Sequence, residues 1–247
     1  MSGPEIIKWY HDQHISQIDY PANILNDTPL ISPRDLLYKE HFQIIDVRSS
    51  WEFNYDHIPN SLHFPILENE ERHIVGSIYK ELGKVEAIRA ALFFARPKTK
   101  SLMNFINEIS AEKIAIYCWR GGGRSKYCYR ILKENKIDCL RLDGGYKSYR
   151  GLVFESLETI DPAQITLARI CGPTGSGKSK LLRKLASKDK PILDFEDMAG
   201  HFGSVFGHIP EKISSPKAPD CSQAFFETKI VEELFGDNKI TKLIYCE

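Results

Sequence analysis

Eight residues, Gly172-Pro173-Thr174-Gly175-Ser176-Gly177-Lys178-Ser179, constrain the fold of this chain more than any other stretch. They fit G-x-x-x-x-G-K-S, a pattern whose backbone curls so that successive amides face an anion. Such a loop works between a buried strand and a helix N-terminus, where the helix dipole adds positive field. The flanking residues supply both: Ile165 to Cys171 reads as a strand and Lys178 to Ala186 as a helix. Gly172, Thr174, Gly175, Ser176 and Gly177 would cradle phosphates, Lys178 would neutralise their charge, and Ser179 would ligate Mg²⁺. ATP, GTP or another diphosphate would fit. Asp194 and Glu196 end the next predicted strand, Pro191 to Phe195, and Glu247 follows a strand-like run, Leu243 to Cys246. These three carboxylates are either magnesium-side acids of the Walker-B kind or solvated strand ends.

Upstream, strands and helices also alternate. Phe42 to Val47, Lys113 to Tyr117 and Cys139 to Leu142 are short apolar runs, and Ser125 to Asn135 has helical spacing. Ser32-Pro33 starts a short helix at Arg34 to Leu37, with proline at its first position. Alternation of this kind implies α/β architecture on parallel sheets. Asp161-Pro162 marks a break in the chain's regular structure. The organisation expected is an N-terminal extension over 1–27, lacking clear periodicity, a first domain over 28–153, and a P-loop domain over 154–247. From its first predicted strand at Ile165 the P-loop part holds only about 80 residues, against roughly 100–150 for a typical domain, so it reads as incomplete at its C-terminus.

Composition narrows the setting. No run approaches the roughly 18 apolar residues of a membrane span, and residues 1–12 lack a signal core, so a cytoplasmic location is expected. Six scattered cysteines with no C-x-x-C pair argue against a zinc site or a disulfide framework. Lysine plus arginine equals aspartate plus glutamate at 33 each, so bulk charge gives no case for nucleic acid. A local basic patch could still be built from Arg120, Arg124, Lys126, Arg130, Arg141, Lys147 and Arg150; the bland reading is a solvated face.

The other chemical feature is a strand that runs straight into Cys118, then Trp119-Arg120-Gly121-Gly122-Gly123-Arg124-Ser125, then a helix. Three glycines let the backbone curl with its N–H groups inward, and the helix N-terminus adds its dipole. A ring of this kind stabilises an anion at its centre, here the Cys118 sulfur. Arg124 would hold an anionic substrate and Ser125 would hydrogen-bond the thiolate. The alternative is an inert buried cysteine beside a flexible turn.

Asp46-Val47-Arg48, Glu52-Phe53, His57-Ile58-Pro59-Asn60-Ser61 and Pro65 resemble the N-terminal signature of rhodanese-type sulfurtransferases. Cys118 stands where those proteins carry their persulfide cysteine, and Leu142-Asp143-Gly144-Gly145 resembles the end of the rhodanese domain. The resemblance leaves Asp46 and His57 structural roles. Cys118 to Arg124 has C-x5-R spacing, one residue longer than short rhodanese loops and equal to that of cysteine-dependent phosphatases. A sulfurtransferase and a phosphatase both stay open. A third reading joins them: a phosphate ester of sulfur or selenium, with the cysteine accepting the chalcogen and the ring holding the phosphate.

A rhodanese-like domain followed by a P-loop domain resembles the bacterial tRNA 2-selenouridine synthase family. Glu70-Glu71-Arg72, Val75-Gly76 and Tyr79-Lys80 are similar to that family's insert between rhodanese strands. Gly144 to Lys147 with Arg150, Leu193 to Glu196, His201 to Gly207, Ser222-Gln223 and Phe226-Glu227 continue the likeness. Phe202 departs from it, where arginine is usual, as does Trp51, where a small residue is usual; family members also continue past Glu247. The resemblance implies selenophosphate as selenium donor and a tRNA bearing wobble 2-thiouridine as acceptor. It also implies geranyl diphosphate or a nucleotide with magnesium at the P-loop. Trp119 would stack on the uridine or pack internally, and Cys118 would become a selenosulfide. The rival remains a sulfurtransferase whose P-loop regulates delivery.

Overall fold

The computed structural model describes residues 3–26, 28–38, 41–109, 111–161, 165–173, 175–188, 190–199, 222–235 and 243–246. The chain divides into two compact units, Met1–Tyr149 and Arg150–Glu247. No helix among the described residues is long and apolar enough to cross a membrane.

The first unit is built on a parallel sheet of five strands: β1 (Leu30–Ile31), β2 (Gln43–Asp46), β3 (Leu62–His63), β4 (Ile114–Tyr117) and β5 (Cys139–Leu142). Their order is β1-β5-β4-β2-β3. All four residues of β4 are buried, as expected for a central strand covered on both faces. Ile45 and Ile116 pair across β2 and β4 and anchor a core that includes Ile66, Leu102, Ile106 and Leu132.

Around the sheet lie α1 (Gly3–Asp12), α2 (Pro33–Tyr38), α3 (Ser50–Tyr55), α4 (Asn69–Leu82), α5 (Lys84–Ala95), α6 (Thr99–Asn107) and α7 (Gly123–Glu134), and α8 (Gly145–Glu158) starts in this unit and ends in the second. The helices α4 and α5 form a hairpin turned at Gly83, whose φ of 90° lies in the left-handed region that glycine tolerates. Residues 3–12, aperiodic by composition, form a helix because Ile6 and Tyr10 stand four apart on one face. That face is buried against Ile78, Ala87 and Ala90 of the hairpin.

The second unit holds a parallel sheet in the order β6-β8-β7, from β6 (Thr166–Arg169), β7 (Ile192–Leu193) and β8 (Leu243–Cys246). The helices α9 (Lys178–Ala186), α10 (Phe195–Met198) and α11 (Gln223–Phe235) accompany it. Leu193, Met198, Leu234, Ile244 and Cys246 make its core. The predicted strand 191–195 is shorter than expected: Asp194 leaves the sheet and caps α10, accepting from the Asp197 amide at 3.0 Å. Glu196 consequently lies in the first turn of a helix and does not end a strand. Pro162, Thr174, Cys221, Glu247, residues 201–207 and the first part of the predicted strand 239–246 lie outside the described residues.

Candidate active site

Strand β4 delivers Cys118 to the C-terminal edge of the sheet, where its residue is 3% exposed. The chain turns through Trp119 to Gly122 and enters α7 at Gly123. Among the described residues, the amides of Trp119, Arg120, Gly121, Gly122 and Gly123 engage no protein acceptor. Consecutive unengaged amides beside a helix N-terminus make a receptor for an anion. Ser125 Oγ lies 3.2 Å from Cys118 Sγ and 3.2 Å from the Gly122 carbonyl. Cys118 and Ser125 are thus brought together, as their spacing suggested.

The loop's shape depends on a second segment. Tyr146 N donates to the Cys118 carbonyl at 2.9 Å, and Lys147 N donates to that of Trp119 at 3.0 Å. The start of α8 therefore satisfies the loop's carbonyls and leaves its amides available. Such close contact excludes a side chain at Gly145. A Cβ there would stand 2.3 Å from the Cys118 oxygen and 2.5 Å from the Gly121 nitrogen, and its φ is +64°.

Arg124 does not reach freely into the ring. Its Nη1 and Nη2 donate to Glu52 at 2.6 and 3.0 Å. Glu52, 1% exposed, also accepts from the Ser49 amide and hydroxyl, each at 3.0 Å, and pairs with Arg72 of α4 at 3.2 Å. Burial works to raise the Glu52 carboxyl, but Arg124, the Ser49 amide and Arg72 outweigh it and hold the pKa at about 2. A guanidinium has five N–H donors, so the two-pronged bond to Glu52 fixes its plane and leaves three.

Arg141 was grouped with surface cations by sequence alone, yet it is buried. Its Nη1 donates to the Gly121 carbonyl at 2.6 Å and lies 3.4 Å from Ser125 Oγ, while Nε bonds Thr28 Oγ1. It braces the loop from behind. Three more members of that group are also engaged. Arg124 is on Glu52, Arg130 bonds Asn23 and pairs with Glu134, and Arg150 bonds Glu227 and Thr228. Exposed Arg120 and Lys147 and half-buried Lys126 remain at the surface.

Trp119 packs on Tyr146 with ring centroids 5.2 Å apart. Beneath them Arg48 is fully buried, bonded to Asp46 at 2.6 Å and to the Asp56 carbonyl at 2.7 Å, and lies 3.9 Å from the Tyr146 ring centroid. Asp46 thus anchors a buried cation, and His57 Nδ1 sits 3.0 Å from the Phe53 carbonyl. Burial pushes the Cys128 thiol up, with the neighbouring Cys118 adding to the effect, which suits a packed, unreactive sulfur.

A cleft of ≈ 760 Å³ opens over the loop, within the size range of sites that hold a drug-sized ligand. Its apolar wall comes from Ile66, Leu67 and Val75 and from Ala91, Leu92 and Ala95 of α5. Arg72, His73, Lys80, Lys84, Arg120 and Arg124 also line it, and among the described residues no aspartate or glutamate does. In a chain with zero net charge, such an unbalanced lining selects for anions.

In the second unit, Gly175 and Gly177 take φ of +80° and +88°, and Gly177 caps α9. A Cβ on Gly172 would meet Ser176 Oγ at 2.7 Å. Lys178 and Ser179 open α9. Strand β8 runs beside β6 with Cys246 opposite Arg169. Asp194 follows β7, beside β8. Its cap bond ties one carboxylate oxygen to α10, so it serves the local fold first.

Comparison with known proteins agrees with this two-part geometry. The rhodanese-like domain family matches residues 34–152, and the tRNA 2-selenouridine synthase AAA domain matches residues 165–246. The chain belongs to the tRNA 2-selenouridine synthase family. The synthase of Nitrosomonas europaea is 33% identical over 219 residues, 87% of this chain and 51% of that protein. That of Sulfurovum sp. is 35% identical over 192 residues, covering 76% and 48%. That of Salmonella paratyphi B is 33% identical over 228 residues, covering 89% and 54%. The chain spans about half the length of these family members.

Three residues that shape the site were not given these parts by their sequence context. Glu52 carried a signal, standing three after Ser49 as in a capping box, but a cap alone does not point to Arg124. Arg141, a charge inside the apolar strand Cys139–Leu142, was a second signal. Gly145 looked like a domain end and is a contact surface for the loop.

Proposed function

We propose that this chain exchanges sulfur for selenium at the wobble 2-thiouridine of tRNA, with selenophosphate as donor. The observation that carries the reading is the run of five amides after Cys118 that engage no acceptor among the described residues, with Ser125 on the Cys118 sulfur. This arrangement suits a small phosphate-bearing donor held against a nucleophile. The cation-only cleft above the ring suits the acceptor strand, whose phosphates the arginines and lysines would neutralise. The similar proteins of Nitrosomonas europaea and Sulfurovum sp. are tRNA 2-selenouridine synthases, which supports the same activity.

Selenium and sulfur enter and leave C2 of the base at the same oxidation level, so the exchange needs no redox partner. Sulfide is a poor leaving group from an unmodified thiocarbonyl. A prenyl group transferred from its diphosphate to that sulfur would let it leave as a thiol. The P-loop residues fit a diphosphate: the Gly172 to Gly177 backbone with Lys178 would hold it, and Ser179 would ligate magnesium. Geranyl diphosphate or a nucleotide fills this role in the reading. The working division is a rhodanese-like domain over 28–153 and a P-loop domain over 154–247, in a cytoplasmic protein.

The test is wobble-nucleoside mass analysis after the purified full-length protein is given selenophosphate, thiolated tRNA and geranyl diphosphate with magnesium. Selenouridine is expected. Unchanged 2-thiouridine, or equal turnover of thiosulfate and selenophosphate, would replace this reading with a plain sulfurtransferase.

A further inference from the structure

We infer that Cys118 attacks the phosphorus of selenophosphate and not its selenium, so that the enzyme passes through an S-phosphocysteine and releases hydroselenide into the cleft. The inference rests on the selenophosphate reading above and departs from the selenosulfide that a rhodanese likeness suggests.

Geometry is the first argument. The available amides run from Trp119 to Gly123, directly after Cys118, and Ser125 binds the same sulfur. The anionic group that this ring holds is therefore the one the sulfur touches. For selenophosphate that group is the phosphoryl, with its three oxygens on the amides and on the remaining donors of Arg124. Selenium then points away from the ring toward the ≈ 760 Å³ cleft. Attack on selenium would demand the reverse pose, with the phosphoryl group away from its donors.

Electron balance is the second. If thiolate attacks selenium, an S–Se bond forms and the P–Se pair stays on phosphorus, which leaves as phosphite; reaching phosphate would need an added oxidant. If thiolate attacks phosphorus, an S–P bond forms, the P–Se bond breaks, and its pair leaves on selenium as hydroselenide. Nothing is oxidised or reduced. Hydroselenide then attacks C2 of the acceptor base and expels sulfur. Water cleaves the S–P bond, giving phosphate and restoring the Cys118 thiolate.

Ser125 has a defined part in that last step. Its hydroxyl stabilises the departing thiolate, so Ser125→Ala should slow hydrolysis and let the adduct accumulate. A hydrogen bond to a charged group is worth about 1.5–3 kcal/mol, or roughly tenfold to a hundredfold in rate.

The experiment incubates wild type and Ser125→Ala with selenophosphate alone, quenches in acid, and examines the Cys118 peptide by mass spectrometry and the solution by phosphorus NMR. A parallel sample also contains thiolated tRNA and geranyl diphosphate with magnesium. The inference predicts a phosphoryl group on Cys118 that resists dithiothreitol, more of it in Ser125→Ala, and phosphate as the inorganic product. Selenium on Cys118 that dithiothreitol removes, with phosphite in solution, would overturn it. So would an unmodified Cys118 in Ser125→Ala while the tRNA sample still gains selenouridine. If no selenouridine forms in any sample, the functional reading itself falls, an outcome distinct from the other two.

Discussion

Gly145→Ala is expected to abolish the proposed selenium transfer and to destabilise the first unit by on the order of 3 kcal/mol. Its Cβ would overlap the Cys118 carbonyl at 2.3 Å and the Gly121 and Arg120 nitrogens at 2.5 and 3.0 Å. All three are backbone atoms, so no side chain can swing aside. The residue also holds φ at +64°, where alanine is strained independently of space. Relief requires the cysteine loop and the start of α8 to separate, which breaks the bonds from Tyr146 and Lys147 that shape the ring. Gly151, on the same helix, has ordinary φ, and a Cβ added there would meet nothing within 4 Å. Gly151→Ala should therefore stabilise, by about 0.5–1 kcal/mol through helix propensity. Gly151 belongs to the second unit, so its effect is read from helical circular dichroism, whereas Trp9, Trp51 and Trp119, the chain's three tryptophans, all lie in the first unit with Gly145. Tryptophan fluorescence in urea thus reports on the first unit, and a Gly145→Ala midpoint equal to that of wild type would refute the contact.

Glu52→Ala should produce the second large effect. Its carboxylate is 1% exposed and shared by Arg124 and Arg72. Removing it leaves Arg124, only 17% exposed, without that partner, a loss of about 3–5 kcal/mol for a broken buried pair. Catalysis should drop by roughly a hundredfold, because the guanidinium plane is no longer fixed across the anion ring. The pH dependence has a definite sign. The folded carboxyl titrates at about 2 and its ordinary value is 4.5, so the unfolded chain takes up the proton first as pH falls. The stabilisation is complete above 4.5 and disappears as pH drops toward 2, a change of about 3 kcal/mol. Urea midpoints of the wild type should fall across that window, and those of Glu52→Gln should fall less. Parallel curves for the two proteins would show that Glu52 does not hold Arg124.

Much of this was legible in the residues. Apolar runs around Ile45, Ile116 and Leu142 located three central strands, because a strand covered on both faces has no polar side to interrupt it. The helix 178–186 was legible to the residue, since Gly177 and Lys178 belong to a motif with one backbone solution. The first helix escaped, because two buried residues in ten carry little periodic signal until the α4–α5 hairpin they pack on is known. Arg124 was recognised as part of the anion ring, but its partner lies 72 positions away, and no local pattern encodes so distant a pairing. The same holds for Arg141, whose charge suggested a surface until the loop it braces was in place. Asp194 and Glu196 fall past the end of β7 for a local reason: aspartate is well suited to capping a helix, and here it caps the helix in whose first turn Glu196 lies.

Cys118 is, in this reading, the nucleophile that opens selenophosphate for transfer to tRNA, and every other residue of the loop serves it. Cells lacking their own selenouridine synthase, fed selenite and given either the full-length wild type or Cys118→Ser, allow this to be read from wobble nucleosides by mass spectrometry. Wild type should yield 2-selenouridine, while Cys118→Ser at equal abundance should leave only the sulfur nucleoside. Equal amounts of 2-selenouridine from both proteins would contradict that role for Cys118.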